Sequence, residues 1–323
     1  MKKITLVGCG NIGSRHLQSL LSFQNPVSID VVEPNKNSQK KAKSLIASQL
    51  KKNHHISWHS SIHNLSDTAD VAIVATNSIE RPKLINELLS QGNKKFLLEK
   101  MVCQSSIEYQ KIISKLRQNH ASAWVNANRR YFQSYHNIKQ FFKKSKSFEL
   151  NIFLGNSGLG TSAIHFVDLF CWLTDNNDIS LDGKYLFQKI YSSKRGRLFK
   201  EFAGTIVGTT NQNSFLKISS HYNPSVPPSV IVDLYDGKNH FVLSELEEKF
   251  YSLTNHNGLS KFSFKFGHTS QLTYPIIQDI IHKGTSNLPT IEDSFKAHSE
   301  LFRIFNTHIN KNLHRKVSKC PIT

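Results

Sequence analysis

Gly8, Gly10 and Gly13 fall in the run GCGNIG, directly after the apolar stretch KITLV and before a helix-forming segment. Each spacing has a mechanical use. Gly8 permits a tight turn, Gly10 lets a pyrophosphate approach the backbone, and Gly13 lets the helix pack on the strand. Asn11 and Ile12 lead into the helix, whose first amides and positive dipole end attract phosphate. Glu33 closes the second expected strand about 20 residues further on, where a carboxylate can bind an adenosine ribose diol. This combination reads as a dinucleotide site. Glu33 repels a 2′-phosphate and so favours NAD, while Lys36, Lys40 and Lys41 keep NADP open.

The segment FLLEKMVC (96–103) is apolar until it sets Glu99 beside Lys100. Desolvating either charge is costly unless it is paired or used. In open α/β sheets the carboxyl ends of strands face the ligand crevice. An ammonium at Lys100 is then placed to stabilise charge developing on a substrate oxygen; a surface ion pair is the alternative. In TSAIHFVDLFCWL (161–173), His165 and Asp168 share a helix face. His165 is either a satisfied core histidine or a general acid–base group, with Asp168 fixing its tautomer. No CxxC pair or zinc-finger spacing occurs, and no metal is expected.

These residues need elements to hold them. The first 125 residues alternate short β-branched runs with polar helical stretches, which predicts a parallel α/β sheet. Strands are expected at 3–8, 27–33, 69–76, 94–100 and 122–128, with a weaker one at 55–60. Helices are expected at 12–23, 38–51, 80–91 and 105–119. From about residue 128 the pattern shifts to longer alternating segments, at 147–155, 201–210, 214–222, 229–237 and 240–254. These predict a largely antiparallel sheet. A helix near 161–174 enters this half first. The capping box TIED (290–293) starts a long helix, expected over 291–310, with Phe295, His298, Phe302, Phe305 and Ile309 on one buried face. The expected domains are a dinucleotide-binding domain, 1–125, and a substrate and oligomerisation domain, 126–323.

Composition bounds the rest. The chain has 323 residues, 41 Lys plus Arg against 23 Asp plus Glu, and a net charge of +18. Compositional drift, a phosphate-bearing small substrate and nucleic acid all accommodate that charge. Basic residues cluster mildly at 143–146, 193–200 and 311–319, without an amphipathic stripe, so nucleic acid is not the expected partner. No apolar run approaches the roughly 18 residues of a spanning helix. Cys9, Cys103, Cys171 and Cys320 are too scattered for a disulfide scaffold. A cytoplasmic protein without membrane attachment is expected.

With these residues assembled, the chain resembles the glucose–fructose oxidoreductase / inositol dehydrogenase / MocA (Gfo/Idh/MocA) family. The matching segments are VGCGNIGSRH (7–16), VAIVATN (71–77), LLEKM (97–101), NRRYFQSY (128–135), AIHFVD (163–168) and LPTIEDSFKAHSELFRIF (288–305). The resemblance implies a Rossmann domain followed by an α+β domain with an open, mostly antiparallel sheet. It implies hydride transfer at hydroxyl or keto groups of sugars and polyols with NAD or NADP, in a homo-oligomer such as a dimer or tetramer. It puts the family's catalytic lysine on Lys100 and its histidine on His165, and adds Thr76, Asn77 and Glu99 to the cofactor set. Arg130, Thr161 and Asp168 are the expected substrate residues.

Three departures qualify this. Thr161 stands where inositol-type members carry an aspartate, and a hydroxyl is no acid–base group near neutral pH. Met101 replaces the usual proline, so a trans peptide is expected there. Asn77 and Arg81 replace a proline and a histidine. Arg81, Arg129 and Arg130 suit either a bound carboxylate or phosphate or ion pairs within the protein. An anionic or nucleotide-linked sugar is one expectation. The rival readings are a non-catalytic NAD-sensing protein of the same fold and a redox-neutral use of bound NAD.

Overall fold

Six short apolar runs of the N-terminal region form one parallel sheet, as their spacing between helices requires. The computed structural model describes residues 1–50, 54–143, 145, 147–223, 225–253, 260–263, 267–314 and 316–323. Lys144 and Lys146 of one basic cluster, Arg315 of another, and the ends of the expected segments 38–51 and 240–254 lie outside them.

The chain divides into two compact units. The first comprises Met1–Cys103, Ile107–Asn128 and Gly267–Glu292; the second comprises Gln104–Ser106, Arg129–Phe266 and Asp293–Thr323. A single cut at 125/126 assigns residues 267–292 to the second domain, whereas they pack in the first unit.

In the first unit the elements are β1 (Lys2–Val7), α1 (Asn11–Leu20), β2 (Val27–Val32), α2 (Lys36–Ile46), β3 (His55–His59), β4 (Val71–Val74), α3 (Arg81–Ser90), β5 (Lys95–Leu98), α4 (Ser106–Gln118) and β6 (Ser122–Val125). The strand order is β3-β2-β1-β4-β5-β6, all parallel. That is the doubly wound order, with the ligand crevice where β1 and β4 diverge. β4 is wholly buried and reads VAIV, as a strand covered on both faces must. A further helix, α7 (Thr269–Lys283), docks on α1. Tyr274 meets Phe23 edge-on at 4.7 Å, and its amide donates to Ser19 Oγ at 3.0 Å.

The second unit carries α5 (Gln133–Phe142), β7 (Glu149–Gly155), α6 (Leu159–Leu173), β8 (Ile179–Leu186), β9 (Tyr191–Ser193), β10 (Gly196–Glu201), β11 (Gly204–Thr210), β12 (Phe215–His221), β13 (Ser229–Tyr235), β14 (His240–Ser244), β15 (Lys249–Ser252) and β16 (Ser260–Ser263). The helix α8 (Ile291–Leu313) enters it from residue 293. The sheet order is β16-β15-β14-β13-β7-β12-β11-β8, antiparallel except for the parallel pair β7 and β12. One face is the core, built from Leu150, Ile152, Leu216, Ile218, Val232 and Leu234. The opposite face leaves Phe153 and Tyr235 exposed. On α8, Phe302, Phe305 and Ile309 are buried, and Phe305 stacks on Phe202 at 4.3 Å. The fold is α/β: a Rossmann parallel sheet and a mixed, mostly antiparallel second sheet.

Among the described residues no helix is long and apolar enough to cross a membrane, and no His/Cys/Asp/Glu group has the geometry to hold a metal ion.

Candidate functional site

The glycine loop follows β1 in the first unit. Gly8 has φ +86°, a conformation that side chains rarely adopt, and packs against Thr76. A Cβ at Gly13 would strike the Gly8 carbonyl oxygen, so only glycine lets α1 start this close to β1. A Cβ at Gly10 would meet no protein atom within 4 Å; that side of the loop is open. The first turn of α1 carries no acidic residue to oppose its positive dipole end.

Beside the loop lies a cavity of about 590 Å³ lined by Gly8, Gly10, Glu33, Thr76 and Asn77, among others. This size is within the ordinary range for a small-ligand pocket. Glu33 is buried, with Oε2 accepting from the Cys9 amide at 2.7 Å and Oε1 from the Asn35 amide at 2.9 Å. Each oxygen keeps a further lone pair for a ribose hydroxyl. Lys36, Lys40 and Lys41 are exposed and do not line the cavity. Asn77 lines it, but its Oδ1 accepts from the amides of Ile79 and Glu80 and shapes the entry to α3. Glycine loop, unopposed helix terminus, cavity and buried carboxylate together fit a nicotinamide dinucleotide.

Glu99 and Lys100 follow β5 directly, and both are buried. Glu99 turns inward: Oε1 meets His16 Nε2 at 3.1 Å and accepts from Asn126 Nδ2 at 2.5 Å. His16 Nδ1 lies 2.8 Å from Thr273 Oγ1 on α7. Burial opposes the Glu99 charge, yet His16, Asn126 and Lys100 outweigh it and hold the carboxyl well below its usual range. The expected cofactor residue Glu99 is thus the centre of a buried network.

The Lys100–Met101 peptide is cis, against the expectation from the missing proline. Met101, Val102 and Cys103 are fully buried, and the Arg81 guanidinium donates to the carbonyls of Met101 and Thr76. Arg81, 1% exposed, is therefore a backbone clamp and not an anion-binding group.

In the second unit, α6 carries Thr161 and His165 on one face. Both are half-buried, whereas Ala163, Ile164, Phe166 and Val167 are buried. Asp168 does not pair with His165 in the hydrogen bonds seen. Its two oxygens take both Arg130 donors, at 2.9 and 2.7 Å, as a buried bidentate pair. Arg129 likewise grips Glu245, at 2.8 and 2.6 Å, and stacks over Phe166. Tyr135 donates to the same Glu245 at 2.6 Å, and burial together with Glu245 pushes its phenol well above the usual range. These pairings remove Arg129 and Arg130 as ready anion receptors and Asp168 as the orienter of His165.

Sequence reasoning missed His16, Asn126 and Thr273, and in the second unit Glu201. The Glu201 carboxylate accepts from the Thr161 amide at 3.1 Å and from the Thr161 hydroxyl. His16 stood in a matched segment, three residues after Gly13, and its spacing from the loop was the available signal.

Residues 2–127 match the model of the Gfo/Idh/MocA group, described as "Oxidoreductase family, NAD-binding Rossmann fold". Over these residues the chain is similar to the Gfo/Idh/MocA oxidoreductases. Its cofactor class is therefore NAD(P), and the chain has the architecture of NAD(P)-dependent oxidoreductases. Solved structures similar to this chain extend over its second unit. An oxidoreductase from Agrobacterium radiobacter, in complex with NAD+, L-tartaric acid and magnesium, is 12% identical with a TM-score of 0.72, covering 96% of this chain and 97% of that one. The dehydrogenase MviM from Clostridium difficile is 16% identical with a TM-score of 0.72, covering 95% and 99%. UDP-N-acetylglucosamine 3-dehydrogenase from Acidithiobacillus ferrooxidans is 12% identical with a TM-score of 0.69, covering 97% and 99%. At these identities the likeness is one of fold. No curated protein sequence matches the chain.

Proposed function

We propose that the protein is an NAD-dependent oxidoreductase moving a hydride to or from a hydroxyl or keto carbon of a sugar or sugar derivative. The observation that carries this reading is the buried Glu33 carboxylate at the rim of the glycine-loop cavity. It has free lone pairs for a ribose diol and its charge opposes a 2′-phosphate. Bound NAD supplies the hydride acceptor or donor. Gly8, Gly10, Asn11, Ile12 and Gly13 cradle its pyrophosphate, with Thr76 and Asn77 along the same cavity. Lys100 steadies negative charge on the substrate oxygen, and His165 takes or gives the hydroxyl proton. Sugar-active enzymes among the structural neighbours support the substrate class. A homo-oligomer is part of the same reading, and the exposed aromatics on the outer sheet face support it.

The test is titration of cofactor-stripped protein with NADH and NADPH by nicotinamide fluorescence, followed by turnover of a sugar panel. Tighter NADH binding and turnover lost in Lys100→Met, with NADH affinity retained, are expected. Binding of neither cofactor defeats the reading, and so does full turnover in the Lys100→Met protein.

A further inference from the structure

The edge of the second sheet is closed by a helix, and a cavity lies beside the closure. β8 is the last strand in the sheet order, with β11 on one side only. On its other side α8 supplies what a ladder partner would. Glu300 Oε2 accepts from the Leu181 amide at 2.9 Å, and Arg303 Nη2 donates to the Leu181 carbonyl. Glu300 also takes Arg303 Nε at 3.2 Å and Nη2 at 2.7 Å; none of these bonds uses Nη1. The two segments meet again where the His308 ring hydrogen-bonds the Phe187 backbone. Beside these contacts is a cavity of about 570 Å³, walled by Asp182 and Lys184 of β8 and by Arg303, His308 and Lys311 of α8, among others. All of these residues belong to the second unit.

The lining is lopsided in charge. Lys184, Arg303 and Lys311 bring three cations, and Asp182 brings the one carboxylate. Glu300 offsets part of the Arg303 charge, so the two lysines carry most of the attraction. Lys184 meets Asp182 at 3.6 Å, but both are exposed and such a pair is weak. Among the described residues no carboxylate pairs with Lys311. Its charge is felt across the cavity wall. Burial lowers the pKa of the His308 imidazole, and Lys311 adds to that lowering against the Phe187 bond. His308 is therefore an uncharged part of the wall at neutral pH. Leu186 and Ile304 add buried apolar surface to it.

We propose that the cavity between β8 and α8 binds a small phosphomonoester, held through Lys184, Arg303 and Lys311. The volume is that of a small-ligand pocket, and its concave form suits a small molecule better than a duplex. Three cations against one carboxylate leave +2 on the lining. A phosphomonoester carries about −1.5 to −2 near neutral pH and so balances it. Guanidinium and ammonium groups are the side chains that hold phosphate, through charge-assisted hydrogen bonds. Leu186 and Ile304 provide apolar contact for the carbon skeleton. Part of the basic excess thereby acquires a use, since Lys311 opens the cluster at 311–319. This cavity shares no lining residue with the glycine-loop cavity, and the proposal does not rest on the oxidoreductase reading.

Isothermal titration calorimetry on the full chain at fixed ionic strength tests this. The probes are glucose 6-phosphate, ribose 5-phosphate and glycerol 3-phosphate, with inorganic phosphate and glucose as controls. At least one phosphomonoester is expected to bind one-to-one, more tightly than inorganic phosphate, and glucose not at all. Lys311→Gln and Lys184→Gln change exposed side chains and should leave the melting temperature unchanged. Each should weaken the phosphomonoester roughly tenfold, as expected when a charge-assisted contact is lost. Lys311→Arg should retain the binding. If none of the three phosphomonoesters binds, the proposal fails. Binding that both glutamine variants leave intact lies elsewhere on the chain and overturns it too. Inorganic phosphate bound as tightly as the esters reduces the cavity to a free-anion site and overturns the assignment. Random-sequence duplex DNA that binds through Lys311, with no phosphomonoester binding, makes this face a nucleic-acid surface and has the same effect.

Discussion

His16 Nε2 lies 3.1 Å from Glu99 Oε1 in a fully buried setting, which ties α1 to the residue before Lys100. The Glu99 carboxyl is held below its ordinary value of 4.5. A depressed carboxyl adds stability that is fully present above the unfolded value and is lost as pH falls through the folded one. Urea unfolding should therefore show stability declining with pH below about 4.5 and a shallower decline in Glu99→Gln. His16→Ala, which removes one hydrogen-bond partner of the buried Glu99 carboxylate, should cost roughly 1–3 kcal/mol at neutral pH. Equal acid sensitivity in wild type and Glu99→Gln would contradict the assignment.

The glycine loop separates folding from binding. A Cβ at Gly10 meets no protein atom, so Gly10→Ala should leave the melting temperature unchanged and weaken NADH roughly tenfold, about 1.4 kcal/mol. Gly13→Ala collides with the Gly8 carbonyl and should lower both stability and affinity. Thermal melts and NADH fluorescence on the two variants decide this.

Arg130 is the next test. As the bidentate partner of a buried Asp168, its replacement by Ala should destabilise the protein by roughly 3–5 kcal/mol in urea melts. Arg130→Lys should restore only part of that, because an ammonium lacks the planar fork. Were Arg130 a substrate receptor instead, Arg130→Lys would lose activity with stability intact.

Burial pushes the Cys9 and Cys171 thiols up to about 12, with the neighbouring Glu33 and Asp168 charges adding to it. Iodoacetamide should label neither in the native protein at neutral pH and both in urea, read by mass spectrometry of peptides. Rapid native labelling of Cys9 would mean that the glycine loop is open to reagent.

Much of the fold could be read from the chain alone, because β-branched runs at regular spacing leave few alternatives for a parallel sheet. Residues Val71–Val74 and Phe96–Leu98 illustrate this. The helix α7 escaped notice, since Pro275 lies inside it and argues locally against a helix. Its docking on α1 supplies what local preference withholds. Glycines and Glu33 declared themselves by spacing. The arginines declared only their chemistry. Arg130 finds its carboxylate 38 residues away and Arg129 finds Glu245 at 116, and such pairings exist only in three dimensions. Glu201 was hidden for the same reason: its partner is Thr161, 40 residues earlier on another element.

The discontinuous first unit has a consequence for synthesis. Its sheet is complete at Val125, but the α1 surface waits for Phe23 and Ser19 to receive Tyr274. A ribosome must therefore translate nearly the whole second unit before the nucleotide-binding half can close. A nascent chain stalled before residue 267 carries the glycine loop on an α1 helix with one flank bare.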